Sequence, residues 1–542
     1  MKKYSILTIL LLGISNVCFA VSPGPLTAER THSVGNFYLT ITNWGAFGSK
    51  RTGDDPEYCI LFDDTTENIP DCYSYGDCRP SAEYPACSGI EYLFSGAFWI
   101  GGVVAGDTLV SVGEDGWFLG INELLPGIDT TYALDSIREF SIDSLDTEAL
   151  GNQTFIAGYS DTCTDTAYIP SEHTPLGIQI TQKSHQWSDS TNNNFVIFQM
   201  TIKNISTHTI NDAYFGIFID TNTGDITYPF TVNDITGFIS TYVDSSVSPP
   251  ETVDVRSVWV ADNDGDPTSG HFDEHSCPAA LTIIPLSNYD YSYNWWISNT
   301  YETYDWGPMR VDNNLGFDGT PVGDVMKYKL MSNGEIDYDQ CEIMDYMDDP
   351  LWISPPSTLY ADFVANGHNP RVLFSFRMGD LLPDSSKKID FAMAMVDSFH
   401  SIDETLCDFN YDAVVDRARE IRNFYDTIVS GIDEEKNLIP NDISICISPN
   451  PFNSSCIITA PKNSKIAIYD IRGNLICRRG LPTSNTSNTS IDNSSGNRHQ
   501  EMSPTEYRFI WTPDKSVPSG IYFIKAITPD RLSIIERIVY IR

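Results

Sequence analysis

Residues 195–202 read FVIFQMTI, and residues 213–219 read AYFGIFI after a polar turn. Both runs are rich in β-branched and aromatic residues, which is typical of buried β-strands. Two more runs of this kind, residues 371–377 and 389–396, flank the turn at 382–385. Short strands separated by turn signals predict a β-sandwich rather than alternating βαβ units.

A single segment in this β pattern predicts a helix. Between residues 403 and 428, apolar side chains recur at spacings of three and four, as on one face of an amphipathic helix. They are Val414, Val415, Ala418, Ile421, Phe424, Tyr425 and Ile428. The predicted fold class is therefore all-β, with a sandwich body over residues 171–430 that is closed by this one long helix. Residues 21–170 form a separate N-terminal β-rich region in this prediction.

The charge of the chain is strongly acidic and unevenly distributed. The 542 residues carry 73 acidic and 33 basic side chains, a formal net charge of −40. Such an excess excludes a surface for nucleic acid, which needs clustered Lys and Arg. Residues 441–542 reverse the balance, with 12 basic and 8 acidic side chains. This break follows a polar stretch at 431–442, which we predict to be an interdomain linker.

The first residues have the pattern of an export signal. Lys2 and Lys3 precede an apolar stretch at residues 6–14, and Cys18 and Ala20 are the small residues at positions −3 and −1 of a cleavage site after Ala20. This arrangement predicts a secretory signal peptide over residues 1–20. No later stretch has the length of a transmembrane helix. We therefore expect a mature chain without a membrane span, exported by way of the periplasm.

Cysteines support export. Eleven remain after Cys18 leaves with the signal peptide, and in exported proteins cysteines usually form disulfides. Cys59, Cys72, Cys78 and Cys87 lie close together and predict two local disulfides, with a zinc knuckle as the alternative. The sequence leaves the pairing open, and the odd total leaves at least one thiol outside any intrachain disulfide.

Two acidic loops are candidate calcium sites, because alternating oxygen ligands can wrap a hard cation. The predicted ligands are Asp262, Asp264 and Asp266 in one loop, and Asp220, Asn222 and Asp225 in the other, which also contains Asp234. The alternative is a pair of acidic turns held by their own side-chain hydrogen bonds. Just downstream, residues 271–275 read HFDEH, a pattern of inverted zinc peptidases. Neighbouring Gly and Pro oppose the helix that this chemistry needs, so His271 and His275 are predicted to lie in a polar loop.

Aromatic residues crowd the segment 289–306. A sugar-binding platform would use their faces, and Trp295, Trp296 and Trp306 are the candidates for it. The aromatic residues from 289 to 295 alternate with other residues, as on the core face of a strand. Core packing is the interpretation that we favour over the sugar-binding platform.

The C-terminal region contains the most specific motifs. Residues 448–453 read SPNPFN, a strand–turn–strand pattern covers 465–476, and residues 517–525 read VPSGIYFIK. A last strand covers 534–541. The region predicts a small all-β sandwich with Trp511 and Tyr522 in its core.

Residues 443–542 resemble the C-terminal sorting domain of bacterial type IX secretion cargo, and are similar to the Ig-like domain of the flagellar hook-capping family. The matching positions are Asn450, Pro451, Phe452, Tyr469, Gly473, Trp511, Gly520 and Tyr522. The resemblance implies an Ig-like β-sandwich that an outer-membrane translocon recognises, with delivery to the cell surface or the medium.

The body is similar to uncharacterised exported proteins that carry such tails. The similar stretches are residues 88–93, 99–102, 216–220, 294–296 and 305–308. This similarity implies a shared architecture and does not imply an activity. The sequence thus predicts a secreted or cell-surface protein whose body is a binding or structural module with a glycan or surface partner. The alternative is a secreted hydrolase of polysaccharide or peptide, although no nucleophile elbow, phosphate loop or dinucleotide motif occurs.

Overall fold

The computed structural model describes residues 27–541. The ranges left out are 52–58, 64–66, 117–121, 127–136, 145, 147, 167, 170–172, 228–232, 245–249, 298–320, 351, 353–356, 404, 438–445, 449–451, 462–464, 471–474, 480–505, 514–516 and 528–532. The predicted signal peptide lies outside the described residues. The chain divides into two compact units, Met1–Tyr425 and Asp426–Arg542.

The first sheet of the body contains eleven antiparallel strands within the described ranges. They are β1 Glu29–His32, β2 Tyr38–Thr42, β3 Ala46–Phe47, β4 Ala82–Glu83, β5 Ile90–Tyr92, β6 Ser95–Val104, β7 Asp107–Val112, β12 Ile210–Asp220, β13 Thr223–Asp225, β17 Tyr291–Ile297 and β18 Pro370–Leu381. The order across the sheet is β13-β5-β4-β2-β3-β6-β12-β18-β17, with β1 paired to β2 and β7 paired to β6.

The second sheet contains eight antiparallel strands in the described part of the chain. They are β8 Arg138–Phe140, β9 Gln153–Ser160, β10 Ile178–Gln186, β11 Phe195–Asn204, β14 Asp234–Asp244, β15 Glu251–Asp262, β16 Ala280–Pro285 and β19 Ser386–Val396. Their order is β14-β15-β16-β19-β11-β10-β9-β8. Because β9 pairs with β10, the boundary placed at residue 170 does not separate two domains. Strands from both sides of it build both sheets.

Aromatic side chains join the two sheets face to face. Phe98 of β6 and Phe215 of β12 stack at 5.5 Å between ring centroids in the first sheet. Phe198 of β11 and Phe391 of β19 stack at 5.0 Å in the second. Phe98 contacts both opposite rings, at 6.0 and 5.9 Å. All four are buried, so the runs that predicted strands form the centre of the core.

Helices cover the outer faces of both sheets. Helix α1, Gly323–Ser332, packs its Leu330 and Met331 on the first sheet against Trp99 and Trp296. Helix α3, Tyr411–Asn437, packs on the second sheet, where Phe424 lies 4.9 Å from Trp187 between ring centroids. Strands covered on both faces explain the nearly continuous apolar runs in the sequence. Helix α2, Thr358–Ala365, lies beside a 3₁₀ segment, Gln340–Tyr346.

The predicted bounds of the long helix need correction. Helix α3 begins at Tyr411 rather than at residue 403, because Asn410 accepts a hydrogen bond from the Ala413 N–H and acts as the N-cap. Residues before it form turns, with Cys407 at a φ of 68°. The helix continues through residues 431–437, so these do not form a linker, and 438–442 lie outside the described residues. Helices α1 and α2 were not predicted.

The tail unit has its own small core. One sheet contains β20 Cys446–Ser448, β21 Cys456–Pro461 and β24 Glu506–Trp511, and the other contains β22 Lys465–Asp470, β23 Leu475–Arg479, β25 Gly520–Ile527 and β26 Ser533–Tyr540. Buried Phe452, Trp511 and Tyr522 belong to one apolar cluster. Among the described helices, none is long and apolar enough to cross a membrane.

Three disulfides link described residues. Cys59–Cys78 and Cys72–Cys87 are the two local bridges that the cysteine spacing predicted. Cys341–Cys407 joins the 3₁₀ segment to the turn before α3. This third bridge holds the entry to α3 against the body.

We expect the double substitution Cys341→Ser and Cys407→Ser to lower the free energy of unfolding. Opening a loop of 66 residues releases chain entropy in the unfolded state, and the loss should be about 4 kcal/mol. Guanidinium unfolding without reductant measures it. Cys163→Ser, at a half-buried free thiol, is the control. Equal stability of the double variant and the control would contradict the prediction.

Two buried carboxylates lie opposite each other on neighbouring strands. Glu83 of β4 pairs with Glu91 of β5, and Arg51 Nη1 lies 3.9 Å from one carboxylate and 3.4 Å from the other. Burial, with a contribution from the neighbouring Glu83, raises the pKa of Glu91 to about 8 although Arg51 acts to lower it. One guanidinium for two carboxylates favours a shared proton in the folded state.

The free energy of unfolding should therefore fall as pH rises from about 4.5 to about 8, because the folded chain binds the additional proton across that window. In the Glu83→Gln variant, Glu91 is the one carboxylate of the pair that remains to interact with Arg51. The free energy of unfolding of this variant should therefore change less with pH. Urea midpoints from pH 5 to pH 9 for both proteins test it. The same slope in both would show that the carboxylate pair does not hold the proton.

Candidate metal centre

The two predicted acidic loops are adjacent in the structure. Asp234, the first residue of β14, lies opposite Asp262, the last residue of β15. Asn233 Nδ2 donates to Asp262 Oδ2 at 2.8 Å and to Asn263 Oδ1 at 2.7 Å. Thr223 N donates to Asp234 Oδ1 at 2.8 Å. Loops that are separate in sequence thus share one end of the β14–β15 hairpin.

The loop after β15 is organised by Asp262. Its Oδ1 accepts the N–H groups of Asp264 at 2.9 Å and Gly265 at 2.6 Å. Gly265 and Asp266 follow at φ values of 75° and 54°, so the chain turns sharply back towards the sheet. Asp264 is exposed, and its Oδ1 accepts the Asp266 N–H. Asp264 therefore does not converge with the other two carboxylates.

A cysteine takes the place of that third carboxylate. Cys277 Sγ lies 3.5 Å from Asp266 Oδ2, and the Cys277 N–H donates to Gly265 O at 2.9 Å. One donor atom from each of Asp262, Asp266 and Cys277 lies within 4.8 Å of the others. The sequence analysis did not include Cys277 in this site. The only signal for it was the odd cysteine count.

These groups have the same sign of charge when ionised, and they are mostly buried. Burial raises the pKa of Asp262 well above its ordinary value, and Asp266 raises it further. Burial also raises the pKa of the Cys277 thiol, with Asp262 adding to the effect. The pKa of Asp234 rises to about 7 for the same reason. Among the described residues, no lysine or arginine forms an ion pair with these four side chains.

The other predicted calcium ligands have different surroundings. Asp220 Oδ1 lies 3.0 Å from Arg371 Nη1. Asp225 Oδ2 lies 2.5 Å from His275 Nδ1, and this hydrogen bond raises the pKa of His275. Both carboxylates therefore already face a cationic or protonatable partner, and Asn222 is half-buried beside them. Within residues 263–279, all described, His271 and His275 lie on non-helical chain.

The candidate aromatic platform at Trp295 and Trp296 is buried, in agreement with the favoured interpretation of these residues as core. Trp295 and Trp296 are 1% and 2% exposed. Trp295 belongs to the core between the sheets, whereas Trp296 belongs to the cluster under α1. Their alternation on β17 fits two buried faces, so neither ring is presented to a sugar. Trp306 lies outside the described residues.

The sorting-motif residues that are described lie in the tail core. The Phe452 and Trp511 rings are 5.5 Å apart, and the Trp511 and Tyr522 rings are also 5.5 Å apart. Gly520 begins β25, and Tyr522 Oη donates to Pro518 O at 2.6 Å. Asn450, Pro451, Gly473 and the side chain of Tyr469 lie outside the described residues.

Comparisons with known proteins identify the tail. The secretion system C-terminal sorting domain family matches residues 447–498. The chain thus carries a type IX secretion signal and is secreted to the cell surface or the extracellular space. No curated protein matches the sequence.

Two solved structures show weak similarity. A polysaccharide lyase matches at 8% identity and a TM-score of 0.21, over 95% of this chain and 46% of its own length. A chain assigned as a kojibiose phosphorylase from the human microbiome matches at 10% identity and a TM-score of 0.26. The match covers 78% of this chain and 39% of the phosphorylase chain. The chain spans less than half of either protein, and similarity at this level carries no functional argument.

Asn233→Ala should destabilise the body by roughly 1–3 kcal/mol, because buried Asp262 then loses a hydrogen-bond donor. Chemical unfolding at pH 7 measures the change. Asn192→Ala is the matched control, since the Asn192 side-chain amide donates to the exposed Asp189 and Thr191 in a surface turn. If the two variants have the same stability, Asn233 does not support the loop.

Proposed function

We propose that this is an extracellular binding or structural module, delivered to the cell surface or medium by residues 443–542. The observation that carries the proposal is the match of residues 447–498 to the sorting-domain family. Delivery outside the cell fits the three disulfides, because such bonds persist in oxidising compartments.

The features of the body support binding or scaffolding over catalysis. Both sheets are covered on their outer faces, and Trp295 and Trp296 contribute to packing. In the described part of the chain, His271 and His275 do not share a helix face, as the zinc-peptidase chemistry would require. No observation among these residues favours the hydrolase alternative.

For the tail, we propose an Ig-like sandwich that an outer-membrane translocon recognises as a folded unit. Its two sheets and the single apolar cluster around Trp511 support this proposal. A translocon that reads a folded domain depends on that core rather than on a linear peptide.

Deleting residues 443–542 should leave the body folded but retained in the periplasm. Cell fractionation, with circular dichroism of the purified body, tests both parts. Undiminished delivery to the surface would contradict the proposed role of the tail.

A pair of point variants tests whether the folded tail is what the translocon reads. Trp511→Ala removes a buried ring and should destabilise the tail by roughly 3–5 kcal/mol, with export lost in proportion. Ile510→Ala is the matched control, because its side chain is 63% exposed on the same strand. Equal export of both variants, with the Trp511 variant unfolded in the tail, would show that a linear signal suffices.

A further inference from the structure

We propose that Asp262, Asp266 and Cys277 bind a structural divalent metal ion of the zinc class, with Asp234 completing the site. The proposal keeps Asp262 and Asp266 from the first predicted calcium loop, replaces Asp264 with Cys277, and changes the metal. It is independent of the function proposed for the tail.

The donor geometry supports a single small ion. Zinc bonds to carboxylate oxygen at about 2.0–2.2 Å and to thiolate sulfur at about 2.3 Å, so tetrahedral donors stand roughly 3.3–3.8 Å apart. The three donor atoms already lie within 4.8 Å of one another. A small side-chain adjustment would bring them to the distances that zinc requires.

Asp234 supplies a second, independent observation. Its side chain is completely buried beside the three-residue cluster; Oδ1 accepts the Thr223 N–H at 2.8 Å, and Oδ2 has no hydrogen-bond partner among the described residues. Asp234 lies directly opposite Asp262, and such pairs place their side chains on the same face with Cβ atoms about 5 Å apart. Buried carboxylate oxygens nearly always have a partner, so this oxygen indicates a missing ligand.

The surrounding hydrogen bonds orient Asp262 as metal sites require. Its Oδ1 accepts two backbone N–H groups and its Oδ2 accepts one bond from Asn233, which leaves lone-pair capacity on Oδ2. Partners of this kind hold a ligating carboxylate in place. The His400 ring packs against Gly265 on one side of the loop. A Cβ atom added to Gly265 would lie 3.2 Å from this ring.

The thiol distinguishes zinc from calcium. Calcium takes six to eight oxygen ligands, whereas thiolate sulfur selects zinc and similar softer ions. None of the four side chains forms an ion pair with a lysine or arginine among the described residues, so a bound cation would offset the negative charge that they carry when ionised. The ligands come from the start of β14, the end of β15 and the segment before β16, so the ion would tie three strands together. With Asp234 as the fourth ligand, the ion would have no open position, which is typical of a structural site.

The test uses the full chain with its disulfides intact, free of chelator and reductant. Zn²⁺ and Ca²⁺ are titrated separately by calorimetry, and Co²⁺ is used as a spectroscopic probe for thiolate-to-metal absorption. We expect one tightly bound Zn²⁺ per chain and a thiolate band with Co²⁺. Cys277→Ser should remove the band and weaken Zn²⁺ binding about tenfold or more, and Asp266→Asn should weaken binding similarly.

Two matched controls should bind Zn²⁺ like the parent chain. Asp264→Asn changes an exposed carboxylate in the same loop, and Cys163→Ser changes a free thiol elsewhere. If circular dichroism shows that Cys277→Ser fails to fold, the Zn²⁺ affinities of Asp266→Asn and Asp264→Asn are compared instead. The proposal requires weaker Zn²⁺ binding in Asp266→Asn than in Asp264→Asn. No Zn²⁺ binding, Ca²⁺ binding in its place, or unchanged Zn²⁺ affinity in a folded Cys277 or Asp266 variant would each overturn the proposal.

Discussion

The stacked phenylalanines between the sheets, Phe98 and Phe215 against Phe198 and Phe391, are the contact on which the body depends. Each ring removes a large apolar area from water, and the favoured offset and edge contacts fix the two sheets in register. The four residues come from β6, β11, β12 and β19. Packing them together therefore brings distant parts of the chain into one layered core.

The position of this core determines what the polar residues can do. The inner and outer faces of the central strands are covered. Side chains that can bind a ligand or react are therefore found at strand ends and in connecting loops. The β14–β15 hairpin ends at such a place, and its loop returns to the sheet at Cys277. A rigid pair of strands holds Asp234 opposite Asp262, so the acidic cluster is a consequence of strand register rather than of the loop sequence alone.

Local patterns in the sequence predicted local structure well. Residues 195–202 and 213–219 lie within β11 and β12, and the cysteines between 59 and 87 form two bridges. Pairing between distant strands has no local signal, which is why a boundary at residue 170 was predicted where β9 and β10 pair. Cys277 was missed because strand pairing and a turn, rather than sequence spacing, bring it to Asp266. Burial of Trp296 depends on α1, a short helix that the apolar spacing did not indicate.

The connection of β12 to its neighbours has a consequence for how the chain acquires its structure. Phe215 of β12 pairs with Phe376 of β18, and β11 pairs with β19, which ends at Val396. Contacts over such sequence distances form slowly, because a long loop must close before any pairing is gained. Until β18 and β19 have paired, one edge of β12 and one edge of β11 remain open, and open edges favour pairing with other chains. The pairing of β18 and β19 therefore closes edges that would otherwise favour aggregation while the chain folds.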